Sequence, residues 1–433
     1  MPVPRTSLRG FLAQARDALR AAVDTRQKIT IVIGNESADL DSMSSSILYA
    51  YIRSMSPPKG AFSPVYVPVT NLRAADIQLR PEYLAVFKSA NIDSKHLITL
   101  DDLPPLSEIR ARLDPKITGW VLVDHNVLQG QLGQIYGNRV AGVIDHHDDE
   151  RKIPANDSEE PRIIEKSGSC TSLVANYAQP SWDRLSGSAS ASETVHMPEG
   201  SLESSSATPE RWDADIAQLG LASILIDTAN LNDESKTTEH DRKAVAYLEA
   251  KIMLCPELAA TFNRTRLYQE IDAAKKDIGR LLLHDILRKD YKEWEQSGQK
   301  LGISSVVKPI AFLQEKARNE ASTSWTGEPL LDALRDFAKQ RGLDVYCIMT
   351  TSTSSKSGFQ RELLVWGFTE AGVAAMKRFE KISAEELGLE DWHESGELVD
   401  MEPNKSEWRK IWWQRQVQHS RKRVAPLLRE AMA

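Results

Sequence analysis

The chain of 433 residues is short of cysteine, of long apolar runs and of positive charge. Its three cysteines, Cys170, Cys255 and Cys347, are odd in number and far apart, which leaves neither a zinc-binding spacing nor a disulfide framework. That scarcity fits a reducing compartment, and a cytoplasmic location is expected. No apolar run approaches the roughly 20 residues that span a bilayer, so no membrane partner is expected. The formal net charge of −7 argues against a general nucleic-acid binder, although a local basic site remains compatible with it. Internal repeats are also missing.

What remains is ordinary for a globular protein: 41% hydrophobic and 27% charged residues. The length exceeds one compact core and predicts two domains. Residues 1–27 hold five arginines and two acids, with Leu8, Phe11, Leu12, Ala15 and Leu19 at helical spacing. An arginine-rich amphipathic segment is the mark of a mitochondrial presequence, which keeps the mitochondrion as the alternative location. Asp17 and Asp24 interrupt that pattern, and a helix packed on the first domain is the preferred reading.

Strands alternate with helices from Lys28 onward. KITIVIG, PVYVPVTN (read as an edge strand because of Pro68), HLITL, WVLV and RVAGVI are the expected strands. Several end in acids or histidines. This pattern predicts an α/β domain with a parallel sheet over residues 1–258. Nine of residues 181–206 are serine, which predicts a flexible surface insertion over 181–210. Residues 264–433 form the smaller second domain, also α/β but with a mixed sheet. Its expected elements are helices over 266–295, a strand in GISSVV, two strands in LDVYCIMTT and RELLVWGF, and a basic helix in the tail. That tail, Trp408 to Arg429, carries seven basic residues and no acid.

The chemistry concentrates at strand and helix ends: Asn35, Asp39 and Asp41; Asp124 and His125; Asp145, His146 and His147; and Asp227. In a parallel sheet the carboxyl ends of the strands share one edge, where ligands bind. Carboxylates crowded there repel unless cations neutralise them. Two divalent ions are the usual answer, and oxygen-rich ligands favour Mg²⁺ or Mn²⁺ over zinc. Singly, each residue has a blander reading: Asp39 or Asp41 as a helix cap, the DTAN stretch as a helix-end turn. Adjacent side chains on an extended segment point opposite ways, so His146 and His147 are expected to divide the work unless the backbone turns.

With these residues in hand, the chain resembles the DHH phosphoesterase superfamily. The resemblance rests on NESADLDS (35–42), VDHN (123–126), DHHDD (145–149) and DTANL (227–231). Residues 282–294 and 419–428 resemble the DHH-associated C-terminal domain. Fungal exopolyphosphatases and prune proteins share more of the pattern than family II inorganic pyrophosphatases, which have a histidine in place of Asn35.

The resemblance implies two Mg²⁺ or Mn²⁺ ions in a cleft between the two domains. Asp39 and Asp124 would hold one, with Asn35 nearby as a substrate-binding residue. Asp41, Asp124, His146 and Asp227 would hold the other. His147 would face the scissile phosphate, and His125 would orient ligands. Arg421 and Lys422 would clamp phosphate oxygens, with Arg423 and either Arg288 or Lys289 as weaker candidates. The backbone N–H groups of Gly168 and Ser169 could cradle a phosphate or simply start a helix. The implied activity is exopolyphosphatase, acting as a monomer on inorganic polyphosphate. The alternatives are a pyrophosphatase, a prune-like phosphodiesterase and a prune-like interaction protein.

Overall fold

Six short β-branched strands build the first sheet: β1 (Ile29–Ile33), β2 (Tyr66–Thr70), β3 (Ile98–Thr99), β4 (Thr118–Val123), β5 (Val140–Asp145) and β6 (Arg162–Ile164). All pair in parallel, in the order β3-β2-β1-β4-β5-β6. Every residue of β1, β2 and β4 is buried, as expected of central strands covered on both faces. Pro68 lies inside the sheet and not on the edge strand predicted for it. The strand tolerates it because β3 reaches only Val69 and Thr70, so no hydrogen bond across to β3 is lost at Pro68.

The strand order reverses between β1 and β4. The next strand after β1 lies on one side and β4 lies on the other. Such a switch point opens a crevice at the carboxyl ends of the two strands.

The computed structural model describes residues 5–153, 159–189, 208–321, 328–354, 358–392 and 406–433. The helices of the first part are α1 (Leu8–Thr25), α2 (Leu40–Met55), α3 (Pro81–Ser89), α4 (Ile109–Arg112), α5 (Gly130–Tyr136), α6 (Cys170–Ala189), α7 (Pro209–Asp227), α8 (Glu239–Met253), α9 (Pro256–Ala259) and α10 (Arg264–Lys276). α1 buries Leu8, Phe11, Leu12, Ala15 and Leu19, the face that its spacing predicted. α2 is buried along its whole length, which explains its many small serines. The serine-rich stretch begins as helix: α6 continues through Pro180 to Ala189 and α7 resumes at Pro209. Residues 190–207, where most of the insertion was expected, lie outside the described residues.

The chain divides into units Met1–Lys275 and Lys276–Ala433. The division falls after the expected 258–264 because Leu267 and Ile271 of α10 bury themselves in the first core.

In the second unit, α11 (Leu283–Lys289) leads into β7 (Tyr291–Gln296) and β8 (Gln299–Val306). β7 replaces the helix expected up to residue 295, because it pairs with β8 through the tight Ser297–Gly298 turn, both residues at positive φ. Then come α12 (Ile310–Glu320), α13 (Pro329–Arg341), β9 (Val345–Thr350), the hairpin β10 (Ser352–Ser354) and β11 (Gly358–Gln360), β12 (Glu362–Gly367), α14 (Glu370–Leu387), β13 (Leu389–Asp391), β14 (Trp408–Gln414) and α15 (Arg421–Met432). The main sheet is mixed, in the order β13-β14-β12-β9-β8-β7, with only β8 and β9 parallel. Alternate residues of β9 enter two separate apolar clusters, Tyr346 and Ile348 in one and Val345, Cys347 and Met349 in the other. The basic tail is therefore not one helix: Trp408 and Trp412 bury their rings from β14, and the helix starts only at Arg421. Among the described residues no helix is long and apolar enough to cross a membrane.

Candidate metal centre

Asp124 stands at the switch point, one residue past β4, with a backbone φ of 62°. This left-handed conformation is uncommon for a residue with a side chain, although Asp and Asn tolerate it better than most. It turns the chain out of the strand and leaves the carboxylate buried. Oδ2 accepts from Asn35 Nδ2 at 2.7 Å and from Ser42 Oγ at 2.7 Å. Oδ1 is left facing His146 Nε2 at 3.2 Å.

Asn35 follows β1 on the neighbouring strand. Its Nδ2 also donates to the Asp124 carbonyl, and its Oδ1 accepts from Ser37 N at 2.8 Å. The amide is spent on holding Asp124 and the loop, not turned outward to a substrate as the sequence suggested.

Asp41 lies in the first turn of α2 and is held by a ring of donors. Oδ1 accepts from Ser169 Oγ (2.7 Å), Thr171 N (2.8 Å), Thr171 Oγ1 (2.7 Å) and Ser223 Oγ (3.1 Å), and Oδ2 from Cys170 N (2.7 Å). Oδ2 is also 3.9 Å from His146 Nε2. Asp39 is exposed and caps α2 by accepting from Ser42 N at 3.0 Å, so the bland reading of a cap is realised whatever else the carboxylate does.

The DHH stretch leaves β5 at Asp145. Asp145 Oδ1 accepts from the backbone N–H of both His146 (2.8 Å) and His147 (3.2 Å), which curls the chain at once. The two rings therefore do not oppose each other as on an extended strand. They meet edge to face at 81°, with centroids 4.7 Å apart, and both approach Asp124 Oδ1. Their roles still differ. His146 Nδ1 lies 3.0 Å from the Ser167 carbonyl, which can only accept, so Nδ1 carries the proton and the Nε2 lone pair faces the same space as the carboxylates of Asp124 and Asp41. His147 Nδ1 lies 2.8 Å from Asp145 Oδ1 and is half-exposed. Asp145 is fully buried, which alone would raise its pKa. The contacts from His147 and Asn126 outweigh burial and hold the carboxyl below its ordinary range. The last two acids of the stretch are surface partners of Lys166 (Asp148) and Arg162 (Asp149). His125 turns its Nδ1 back to the Val123 carbonyl at 3.0 Å.

Asp227 ends α7 and opens a turn in which Ala229, Asn230 and Leu231 all have positive φ. Its Oδ2 is buried and has no hydrogen-bond partner. Burial, then the charges of Asp41 and Asp39, push the Asp227 carboxyl well above its usual range. Burial, then Asp39 and Asp41, also raise Asp124. The charge of Lys275 acts against this at Asp227 without offsetting it. An orphaned carboxylate oxygen, an imidazole lone pair and mutually repelling acids fit a divalent cation, and a donor set of oxygens with one nitrogen suits Mg²⁺ or Mn²⁺. Ligand atoms of Asp124, His146 and His147 lie within 4.8 Å of one another. Of these three, His147 Nδ1 is already committed to Asp145.

Sequence reasoning missed the residues that hold the acids in place. Ser42, Ser169, Thr171 and Ser223 carry no spacing signal. Asp241 is legible only as the third residue of a capping box that starts α8. Yet its carboxylate takes the N–H groups of Gly168 (2.9 Å) and Ser169 (3.2 Å). With Cys170 and Thr171 bound to Asp41, four successive N–H groups at the start of α6 are satisfied by two carboxylates. The phosphate cradle considered for Gly168 and Ser169 is therefore already filled.

In the second unit, Arg421 donates to the Asp290 carboxylate (2.7 Å) and carbonyl (3.0 Å). Arg423 forks onto Glu386, Arg288 pairs with Asp285 at 2.8 Å, and Lys422 is exposed.

A parallel sheet whose switch point gathers buried acids around an imidazole nitrogen is suited to hold a divalent metal ion. Residues 29–202 match the DHH family, N-terminal domain, and residues 269–431 match the DHHA2 domain. The chain belongs to the DHH phosphoesterase family. A candidate exopolyphosphatase of Schizosaccharomyces pombe is 31% identical over 430 residues, covering 98% of this chain and 97% of its own. Exopolyphosphatase PRUNE1 of Bos taurus is 27% identical, covering 96% of this chain and 78% of its own. A manganese-dependent inorganic pyrophosphatase of Methanothrix thermoacetophila is 25% identical, covering 81% of this chain and 88% of its own. Among solved structures, a candidate family II inorganic pyrophosphatase of Methanococcus jannaschii shares the fold, with a TM-score of 0.53, 20% identity and coverage of 93% of this chain and 99% of its own.

Proposed function

We propose that the protein is an exopolyphosphatase that hydrolyses the terminal phosphoanhydride bond of inorganic polyphosphate and releases orthophosphate. One observation carries its dependence on metal: Asp227 Oδ2, buried without a partner, in a group of acids whose charges are not otherwise balanced. The choice of polyphosphate is supported by the 31% identity, over nearly the whole chain, with the fission-yeast relative.

Asp39 and Asp124 would hold one divalent ion, and Asp41, Asp124, His146 and Asp227 a second. Bound ions supply Lewis-acid stabilisation of phosphoryl oxygens and acidify the attacking water. The chain's own residues do the rest. Asp145 accepts from His147 Nδ1, so it is the imidazolium form of the half-exposed ring, with a proton on each nitrogen, that gives its Nε2 proton to the leaving oxygen and returns to the neutral ring. His125 lines the end of β4 beside Asp124. Arg421 and Lys422, with Arg423, would neutralise phosphate oxygens, Arg421 exchanging Asp290 and Arg423 exchanging Glu386 for the phosphate; arginine suits this because its planar fork binds two oxygens.

The test offers the purified protein long-chain polyphosphate, pyrophosphate and cyclic AMP in turn, with Mg²⁺ or Mn²⁺. Orthophosphate and nucleotide products are measured. Release of orthophosphate mainly from long chains is expected. A clear preference for pyrophosphate would move the assignment to the pyrophosphatase that the Methanothrix relative represents, and a preference for cyclic AMP would move it to a phosphodiesterase.

A further inference from the structure

We infer that Asp241 is the positioning residue that sets both Asp41 and His146 toward the metal, although its own hydrogen bonds go to neither. This rests on the reading that Asp41 and His146 hold a divalent cation.

The carboxylate of Asp241 is fully buried and receives six hydrogen bonds. Oδ1 accepts from Ser167 Oγ (3.0 Å), Ser169 N (3.2 Å) and Ser172 Oγ (2.6 Å). Oδ2 accepts from Gly168 N (2.9 Å), Thr238 N (2.7 Å) and Thr238 Oγ1 (2.8 Å). A capping box needs only the bond from Thr238 N, and Thr238 Oγ1 adds a second from the same residue. The other four all go to one short segment, residues 167–172.

That segment is where the metal-facing side chains are held. The Ser167 carbonyl fixes the His146 ring through Nδ1. Ser169 Oγ, Cys170 N, Thr171 N and Thr171 Oγ1 fix Asp41. The segment is also pressed against the Asp227 turn. A Cβ on Gly168 would stand 2.7 Å from Thr228 Cγ2 and 3.0 Å from Asp241 Oδ2, too close for any larger residue. Asp241 thus fixes from behind the backbone that aims an imidazole and a carboxylate. Asparagine in its place would keep one acceptor oxygen and set an NH2 group against the donors that the other oxygen now receives, so at least one of the Gly168 and Ser169 N–H groups would lose its acceptor and the segment would relax. Outer partners of this kind are worth about 10–100-fold in metal affinity.

The experiment is calorimetric titration of the full chain with MnCl₂. It compares wild type with Asp241→Asn and with Asp213→Asn. Asp213 is another buried acid, held by Trp182, Ser186 and Arg5 in a network without any metal-facing residue, and serves as the control for simple loss of a buried charge. We expect Asp241→Asn to weaken Mn²⁺ binding about 10–100-fold and Asp213→Asn to leave it within about threefold (less than 1 kcal/mol). Unchanged affinity in Asp241→Asn, or an equal loss in both variants, overturns the inference. Should Asp241→Asn fail to fold, Ser167→Ala and Ser172→Ala each remove one bond to Asp241. Each is expected to weaken Mn²⁺ about 2–10-fold, the worth of one hydrogen bond, and wild-type affinity in both overturns the inference. A wild type that does not bind Mn²⁺ overturns the metal reading itself, and this inference with it.

Discussion

Nδ1 of His147 stands 2.8 Å from Oδ1 of Asp145, so only the Nε2 side of that ring is available for chemistry. The same carboxylate oxygen takes the backbone N–H groups of both histidines. One buried acid therefore orients the ring of the proton donor and sets the curl that brings the two rings together. Asp145→Asn keeps the shape and loses the charge. Its kcat should fall by about 10²–10⁴-fold, the range for a lost general acid. Mn²⁺ affinity should change far less, because His146 is fixed separately by Ser167. Steady-state kinetics and calorimetry on one preparation separate the two effects; a loss of metal binding equal to the loss of kcat would contradict the assignment.

Asp124→Asn tests the repulsion among the acids. Asparagine tolerates the left-handed backbone at this position, so the fold should survive. Metal binding should collapse. The metal-free variant, relieved of one uncompensated charge, should melt a few degrees above the metal-free wild type, for roughly 1 kcal/mol. Thermal denaturation in the presence of chelator gives the answer, and a lower melting temperature than wild type would count against the account of crowded carboxylates.

The raised carboxyls of Asp124 and Asp227 have a pH consequence. Their folded pKa values exceed the unfolded ones, so what they add to metal-free stability is fully present below the ordinary carboxylate range. It is lost as pH rises through their raised values. A cation must displace the same protons. Mn²⁺ binding should therefore release protons and tighten with rising pH from the carboxylate range upward. Titrations in two buffers of different ionisation enthalpy count the protons. Binding without proton release, at a pH near those raised values, would be the contrary result.

Asn35→His would place the pyrophosphatase-type residue beside Asp124. It removes the two bonds from Nδ2 to Asp124 and adds a nitrogen ligand. The Mn²⁺-to-Mg²⁺ affinity ratio should rise, by about tenfold (1.4 kcal/mol), since imidazole suits Mn²⁺ better than Mg²⁺. Paired titrations with the two ions measure the ratio, and an unchanged ratio would mean that residue 35 does not tune the metal.

The N-terminal fold was legible because its strands are runs of β-branched residues, several of them followed by an acid or histidine, and that pattern survives without any tertiary information. The tail was misread as one helix because Trp408 and Trp412 fit either period. Their burial beside β12 is a tertiary fact. The metal-facing residues could be read from the four motifs and their resemblance to a family. Their supports could not. Ser169, Thr171, Ser223 and Asp241 act through hydrogen bonds spanning 52 to 182 residues, and nothing local marks them. Asp241 was hidden further by its second task, since a capping box already accounts for an aspartate at that place.

The pairing of β1 with β4 joins Asn35 to Asp124, 89 residues further along the chain. Closing so long a loop costs entropy before any contact repays it. Until that closure the acids lie on separate strands of unfolded chain, with no cage for an ion. Ion capture should therefore require that closure, and a nascent chain that has not yet reached Asp227 should be unable to compete for cellular metal.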